Sequence, residues 1–272
     1  MKVLVLGGKG FLGSSLIAQA NKKKVTIYGT SRHAVDKKNI IQVDVNNFSS
    51  LKGMIAEIKP DVIVWTLMSN DNEMELIHTG LNNLLTVIKP ETKLIFISTD
   101  AVFTEGLGNY KESDTIGFLP NDAPLSVYVN AKHTGEQLIR HLHNNHIIVR
   151  IGPLYGDRNN IEKRTNRIIR LMEENQEVKA ATNLYRTFTH VNDLSNAILE
   201  LIYNEFTGTL HLGPKQSISY FTFYERRLKQ LGIHTTITPY EIDTDKERYV
   251  SLDTSLNTQK ANNLIKTTFQ II

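Results

Sequence analysis

The chain of 272 residues contains no cysteine, seven prolines and one tryptophan. Without cysteine there is no disulfide framework and no thiolate chemistry. Proline is too sparse and scattered to form a rigid linker, and no low-complexity block or internal repeat divides the chain. Long hydrophobic runs are also missing. None approaches the roughly 18 apolar residues that a membrane-spanning helix needs. Met1-Lys2 is followed by four apolar residues and then by glycines, which reads as a buried strand and not as a signal-peptide core. A strong charge of either sign is absent too, the formal net charge being +3. The single dense basic run, Lys22-Lys23-Lys24, falls where a first helix ends, and cations there complement the helix dipole. Neither a nucleic-acid nor a membrane partner is expected, and the cytoplasm is the default location.

What is present is an ordinary globular composition, 40% hydrophobic and 22% charged. Short apolar runs recur at Val3–Leu6, Val25–Tyr28, Ile40–Val43, Val62–Trp65, Leu94–Ile97 and Ile147–Ile151. They are rich in β-branched residues and continuous, as strands buried on both faces of a parallel sheet are. Helical segments alternate with them at Phe11–Asn21, Phe48–Ile58, Glu73–Ile88 and Ser126–Asn144. This order predicts an α/β protein built on a Rossmann-type doubly wound parallel sheet. After Gly152 the pattern changes. A helix is expected over Asn159–Glu174, then a short extended piece at Arg186–Asn192 and a helix capped by Asp193. A late strand follows at Thr209–Leu212, a helix at Phe221–Leu231 stopped by Gly232, and an extended piece at Thr236–Tyr240. The expected organisation is a dinucleotide-binding domain over residues 1–152. Residues 153–272 form a smaller C-terminal α/β substrate-binding lobe, with segments near 186–213 returning to the main sheet.

Gly7-Gly8-Lys9-Gly10-Phe11-Leu12-Gly13 follows the first strand directly and opens the first helix. An early glycine at Gly7 permits a tight turn, Gly10 lets backbone approach a pyrophosphate, and Gly13 lets helix and strand pack closely. The helix start across Gly10, Phe11, Leu12 and Gly13 offers free N–H groups and a positive dipole end to phosphates. Dinucleotide binding is expected, the alternative being a purely structural turn. An acidic residue normally ends the second strand to hold the ribose 2′-hydroxyl of NAD, about 20 residues after the glycines. Here Ser31 and Arg32 stand instead, and a hydroxyl with a guanidinium suits a 2′-phosphate. NADP(H) is therefore preferred over NAD(H), unless Arg32 is simply a surface arginine. Asp44 and Val45, after the third strand, are candidates to meet the adenine, with a turn as the alternative role of Asp44.

Tyr128 and Lys132 stand at i and i+4 on one expected helix face. A free phenol has a pKa of about 10. An ammonium beside it favours the phenolate, so the pair can form a tuned acid or base. Thr99, at the end of the run Ile97-Ser98-Thr99-Asp100, lies where such sheets bind their ligands and can hydrogen-bond a substrate oxygen. Taken singly, each of these features has a bland reading as packing, solvation or turn formation.

Taken together, the pieces resemble an extended short-chain dehydrogenase/reductase, and within that group the dTDP-4-dehydrorhamnose reductase type of sugar-nucleotide reductase. The resemblance rests on Gly7–Gly13, Ser98–Phe103, Tyr128–Lys132 with Gly135-Glu136, Val149–Gly156, Arg186–Asp193 and His211-Leu212-Gly213, in the family's order across nearly the whole chain. It implies that Tyr128 protonates a carbonyl oxygen as hydride arrives from the nicotinamide. Lys132 then lowers the tyrosine pKa and binds the nicotinamide ribose, Thr99 hydrogen-bonds the reacting oxygen, and Arg186 contacts the substrate's diphosphate. The implied substrate is a keto sugar nucleotide, with a homodimer as a possible assembly.

Two departures from the family stand out. Val64-Trp65-Thr66-Leu67-Met68-Ser69 replaces the usual Asn-x-Ala-Ala-like stretch, so that Trp65 and Met68 either belong to the core or reshape the nicotinamide side. The stretch between Thr99 and Tyr128 is longer, around Glu105–Asn109 or Ile116–Asp122. An epimerase or dehydratase of the same fold is one alternative, although Ala101 does not supply the second acid that a dehydratase adds beside Asp100. A non-catalytic NADP-binding regulatory subunit is the other. His141, His143 and His146 fall on different faces of a helix end, so no metal is expected. Glu112 and Asp114 read as loop residues, and His190 as structural.

Overall fold

In the computed structural model, which describes residues 1–34, 39–69 and 72–272, the six apolar runs and the late strand line up as one parallel sheet. The chain proceeds β1 (Val3–Leu6), α1 (Phe11–Lys22), β2 (Ile27–Ser31), β3 (Ile40–Gln42), α2 (Phe48–Ile58) and β4 (Val62–Trp65). A helical stretch follows as α3 (Glu73–Glu75) and α4 (Asn82–Val87), joined through π-helical backbone at Leu76–Leu81. Next come β5 (Lys93–Thr99), α5 (Ser126–Leu142), β6 (His146–Ile151), β7 (Leu154–Tyr155), α6 (Lys163–Glu173), β8 (Lys179–Ala181), β9 (Tyr185–Arg186) and β10 (Thr189–His190). The chain continues through α7 (Val191–Leu201), β11 (Gly208–Leu212), β12 (Ile218–Ser219), α8 (Tyr220–Leu231) and β13 (Thr238–Tyr240). The sheet order is β11-β6-β5-β4-β1-β2-β3, with every neighbouring pair parallel.

Side chains alternate across each strand, so one strand feeds two cores. Val3 and Val5 pack with Leu16 of α1 and Leu194 and Ile198 of α7. Leu4 and Leu6 pack on the opposite face with Leu51 of α2, Leu84 of α4 and Ile139 of α5. Burial on both faces explains why the runs are continuous and not alternating. Each fully buried Leu or Ile contributes about 1.5–3 kcal/mol relative to exposure. β1 lies between β2 and β4, so the chain reverses its direction of travel across the sheet at the β1/β4 boundary. Ligands of open α/β sheets bind at such a switch point, outside the carboxyl ends of the strands.

The small sheets pair β10 with β7, β12 with β9 and β13 with β8. They enclose a third apolar cluster that includes Tyr155, Ile168, Phe188, Phe223 and Leu228. Two helix starts differ from expectation. α6 begins at Lys163 because the preceding Glu162 is extended. The Glu162 carboxylate is buried, accepting from Gly156 N at 3.2 Å and Arg227 Nη2 at 2.9 Å. α7 begins at Val191, capped by His190, whose Nδ1 accepts from Asn192 N. Asp193 therefore sits inside the first turn, where its charge favours the helix dipole, and it accepts from Gln270 N at 2.9 Å. Gly232 ends α8 with a φ of 77°, as a left-handed C-terminal stop requires. Among the described residues, no helix is long and apolar enough to cross a membrane.

Candidate active site

The glycine turn is built by steric necessity. Gly7 has a φ of 96°, and a Cβ on Gly13 would lie 2.2 Å from the Gly7 carbonyl oxygen. A Cβ on Gly8 would lie 2.8 Å from Gly29 Cα, so β1's exit and β2 touch backbone to backbone. Gly10 differs, because its Cβ would meet nothing in the protein closer than 3.2 Å. Gly10 also caps α1 without any side-chain cap, which leaves the N–H groups of Phe11, Leu12 and Gly13 directed outward. Leu12 is buried in the sheet core, with half-buried Phe11 packed against it. A helix start free of side-chain caps, at the switch point and behind a glycine less crowded than its neighbours, fits a pyrophosphate.

Ser31 is half-buried at the end of β2, and its Oγ accepts from His33 N at 3.3 Å. Arg32 is exposed beside it. Asp44 is exposed, and its Oδ1 accepts from Asn46 N at 3.0 Å, a turn contact that leaves its other oxygen facing outward. Val45 packs its side chain into the core, and its carbonyl accepts from Asn83 Nδ2 at 3.1 Å.

α5 carries Tyr128 and Lys132 and is fastened to the sheet one turn further on. Gly135 lets the helix approach Phe96, since a Cβ there would come within 2.9 Å of the ring. Glu136 then accepts from Ser98 Oγ at 2.5 Å, from Arg150 Nε at 3.0 Å and Arg150 Nη2 at 2.8 Å, and from Arg140 Nη2 at 2.7 Å. Burial alone would raise the Glu136 carboxyl; Arg150, with Ser98 and Arg140, outweighs it and holds the group below its usual range.

Thr99 is buried at the end of β5, donates to Asp100 Oδ1 at 3.2 Å and accepts from Ala101 N at 3.2 Å. Its hydroxyl also bears on the phenol of Tyr128. Tyr128 is half-buried. Burial pushes its phenol well above the usual value; Thr99 and Arg164 oppose the shift, while Glu73 and Asp100 add to it. This is opposite to the lowering expected from Lys132. The Lys132 ammonium lies 5.9 Å from the Tyr128 ring centroid and 5.2 Å from that of Phe96. It is engaged by Glu73 Oε1 at 3.1 Å and donates to the Leu67 carbonyl at 3.3 Å.

Arg186 lies against the same strand end. Its Nε is 3.8 Å from Asp100 Oδ2, and its guanidinium donates to the carbonyls of Tyr185 at 2.6 Å, Leu252 at 3.1 Å and Ser251 at 3.0 Å. Thr254 Oγ1 donates to Asp100 Oδ2 at 2.8 Å. Burial pushes Asp100 up, against the pull of Arg186, Thr254 and Thr99.

The departing stretch resolves into two behaviours. Trp65 is fully buried against Phe96, as core, whereas Met68 is 61% exposed and is not core. Thr66 Oγ1 donates to Leu6 O at 2.8 Å and closes the switch point. The longer loop is tied down at both candidate positions. Leu107 and Tyr110 bridge to Asp253 and Leu256, and Phe118 stacks on His133 at 3.9 Å. Glu112 and Asp114 accept backbone N–H groups of His211 and Lys111. His143 and His146 face the carbonyls of Thr92 and His143.

Two parts of the site escaped the sequence reading. One is Glu73, for which no local signal exists. The other is a cavity of about 480 Å³ lined by Arg164, Arg167, Lys179, Tyr220, Tyr224 and Tyr240 among others. Arg164 lies 5.6 Å from the Tyr220 ring and acts electrostatically on both Tyr128 and Asp100, linking this cavity to the strand ends. The repeated arginines of α6, at 164 and 167, were the available signal.

The chain is similar to the spore coat polysaccharide biosynthesis protein SpsK of Bacillus subtilis, with 24% identity over 247 residues, 87% of this chain and 81% of that protein. Its fold matches the crystal structure of dTDP-4-dehydrorhamnose reductase from Bacillus anthracis in complex with NADP. The TM-score is 0.81 at 23% identity, covering 98% of this chain and 95% of the other. It also matches the Bordetella bronchiseptica enzyme WbmH in complex with NAD+, with a TM-score of 0.81 at 15% identity, covering 99% and 94%. Structures of this fold thus carry either dinucleotide. The family described as RmlD substrate binding domain matches residues 1–269, and the chain belongs to that family.

Proposed function

We propose that the protein is an NADPH-dependent reductase of a keto group on a sugar nucleotide, with Thr99, Tyr128 and Lys132 as its catalytic residues. The observation that carries this reading is the convergence of the Thr99 hydroxyl and the Tyr128 phenol at the carboxyl end of β5. They lie on the side of the sheet where the glycine turn ends β1. Two hydroxyls there can hold one carbonyl oxygen, and the phenol can donate its proton as negative charge develops. When bound, a nicotinamide would supply the hydride; the chain contributes orientation and the proton. Carbon gains the hydride, oxygen gains the phenol proton, and the phenolate is reprotonated from solvent.

Gly7, Gly10, Phe11, Leu12 and Gly13 would hold the pyrophosphate. Ser31 and Arg32 would favour a 2′-phosphate, Asp44 and Val45 would flank the adenine, and Lys132 would meet the nicotinamide ribose. The cationic and aromatic cavity beside Arg164 suits a nucleoside diphosphate, with tyrosine faces for the base and guanidinium groups for the phosphates. Arg164 and Arg167 would share the diphosphate with Arg186, whose guanidinium donates to three carbonyls and keeps two of its five N–H groups. The family and fold support a reductase, and the intact Thr/Tyr/Lys set favours it over a non-catalytic subunit. In assays of NADPH consumption with dTDP-, UDP- and GDP-linked 4-keto-6-deoxy sugars, Tyr128→Phe should lose at least about a thousandfold in turnover, within the range general-acid catalysis supplies. NADPH affinity should stay close to wild type. Wild-type turnover in that variant would sink the mechanism.

A further inference from the structure

Glu73 is a buried carboxylate at the start of α3 that faces the site yet plays no part in the steps above. It is only 1% exposed. One oxygen accepts from Ser69 N and so closes the loop that leaves β4. The other lies 3.1 Å from the Lys132 ammonium, which is itself only 4% exposed. A buried ion pair of this kind is a poor source of stability, because desolvating two charges offsets most of their attraction. Its persistence at the strand ends therefore calls for another consequence.

That consequence follows from the neighbours of Tyr128. Among the described residues, the charged groups bearing on the phenol are Glu73 from α3, Asp100 after β5, Arg164 from α6 and Lys132 on α5 itself. Asp100 is faced in turn by Arg186. An unpaired Lys132 would favour the phenolate; with Glu73 beside it the pair is nearly neutral, and the carboxylate acts on the phenol directly. Both effects of Glu73 have the same sign. We propose that Glu73 is a positioning residue that fixes the Lys132 ammonium between the β4 exit loop and α5 and offsets its charge, and so adds to the burial that holds Tyr128 in its phenol form, the acid for carbonyl reduction. This rests on the reading of Tyr128 as the proton donor.

The test needs no substrate, so its outcome is separate from that of the keto-sugar assay. The full-length protein is labelled with [13Cζ]tyrosine, and the Tyr128 resonance is identified by its loss in Tyr128→Phe. In wild type the resonance should not titrate between pH 7 and 11. Glu73→Gln removes the charge, and the onset of the Tyr128 titration, followed upward in pH in both proteins, should then move down by at least one pH unit, a tenfold change in acid dissociation. Glu73→Asp keeps the charge and should behave as wild type. A carboxylate that merely held the loop together would lower thermal stability in Glu73→Gln and leave the tyrosine titration unmoved, and that result overturns the proposal. Should Glu73→Gln not fold, Lys132→Gln is compared with Lys132→Gln/Glu73→Gln, which leaves no buried charge unpaired. The double variant should titrate at least one unit lower, and equal titration in the two overturns the proposal equally.

Discussion

His211 shows how far a single side chain can depart from its solution chemistry. It is fully buried on β11, and its Nδ1 faces the carbonyls of Tyr110 at 3.1 Å and Asn257 at 3.2 Å. Both partners are acceptors, so Nδ1 carries the proton of a neutral ring. Burial lowers its pKa to about 4; Glu112 and the two carbonyls oppose the shift, and Arg150 adds to it. In the unfolded chain the same ring takes up a proton near 6.5. Between those values the unfolded chain binds more protons, so stability is complete above pH 6.5 and falls as the pH drops towards 4. At about 1.4 kcal/mol per pH unit the whole window is worth about 3 kcal/mol. Burial lowers His133 and His146 as well, and they act in the same direction. Chemical denaturation at pH 7 and pH 5 should show a clear loss at the lower pH. His211→Asn, which keeps a donor for the carbonyls, should lose less between the two; an equal loss would assign the slope elsewhere.

At the scale of elements, the glycine turn separates two demands that a motif merges. Gly13 is required by the fold, because a Cβ there would collide with the Gly7 carbonyl oxygen. Gly10 is far less crowded, a Cβ there lying 3.2 Å from the Gly7 carbonyl oxygen, a tight contact that a small shift relieves, so its smallness serves an approaching ligand more than the fold. Gly13→Ala should therefore lower the melting temperature and NADPH affinity together, by an amount typical of overpacking, about 1–3 kcal/mol. Gly10→Ala should melt much closer to wild type than Gly13→Ala does, yet bind NADPH at least tenfold more weakly, measured by fluorescence titration. Normal binding by Gly10→Ala would remove it from the cofactor cradle.

The turn was legible because everything it needs lies within seven consecutive residues. The strands were legible for a related reason. β1 and β4 run over the expected residues, since burial on both faces leaves an uninterrupted apolar signature. β2 shifted towards Ser31 because Gly29 must meet Gly8, a constraint that hydropathy does not carry. The same limit hid the start of α6, where Glu162 is drawn to Arg227, and the π-helical backbone at Leu76–Leu81, where Gly80 closes on Val45 and Asn46. In the candidate site, Tyr128 and Lys132 share one helix and could be read from spacing. Glu73 reaches Lys132 only once α3 and α5 have packed, and no local pattern encodes that meeting.

Across the whole molecule, the polar C-terminal stretch that looked irregular holds the two halves of the candidate site together. The carbonyls of Ser251 and Leu252 accept from Arg186, Thr254 donates to Asp100 beside Thr99, and Leu256 N donates to Thr187 Oγ1. Leu107 and Tyr110 bridge to the same stretch from the loop after β5. Arg164 lines the cavity between α6, β8, α8 and β13, and its charge also reaches Tyr128 and Asp100. Arg167 lines the cavity, but Tyr128 and Asp100 respond to Arg164. The two arginines should therefore divide their work. Arg167→Ala should weaken the binding of dTDP or UDP about tenfold, as the loss of one charge-assisted phosphate contact does, and leave NADPH affinity unchanged. Arg164→Ala should weaken nucleotide binding similarly and also lower turnover at saturating keto sugar nucleotide, because it loses a charge that favours the developing phenolate. Calorimetric titration with the free nucleoside diphosphates, followed by a comparison of kcat and KM, separates the two. Unchanged dTDP and UDP affinity in both variants would take the cavity off the substrate's path.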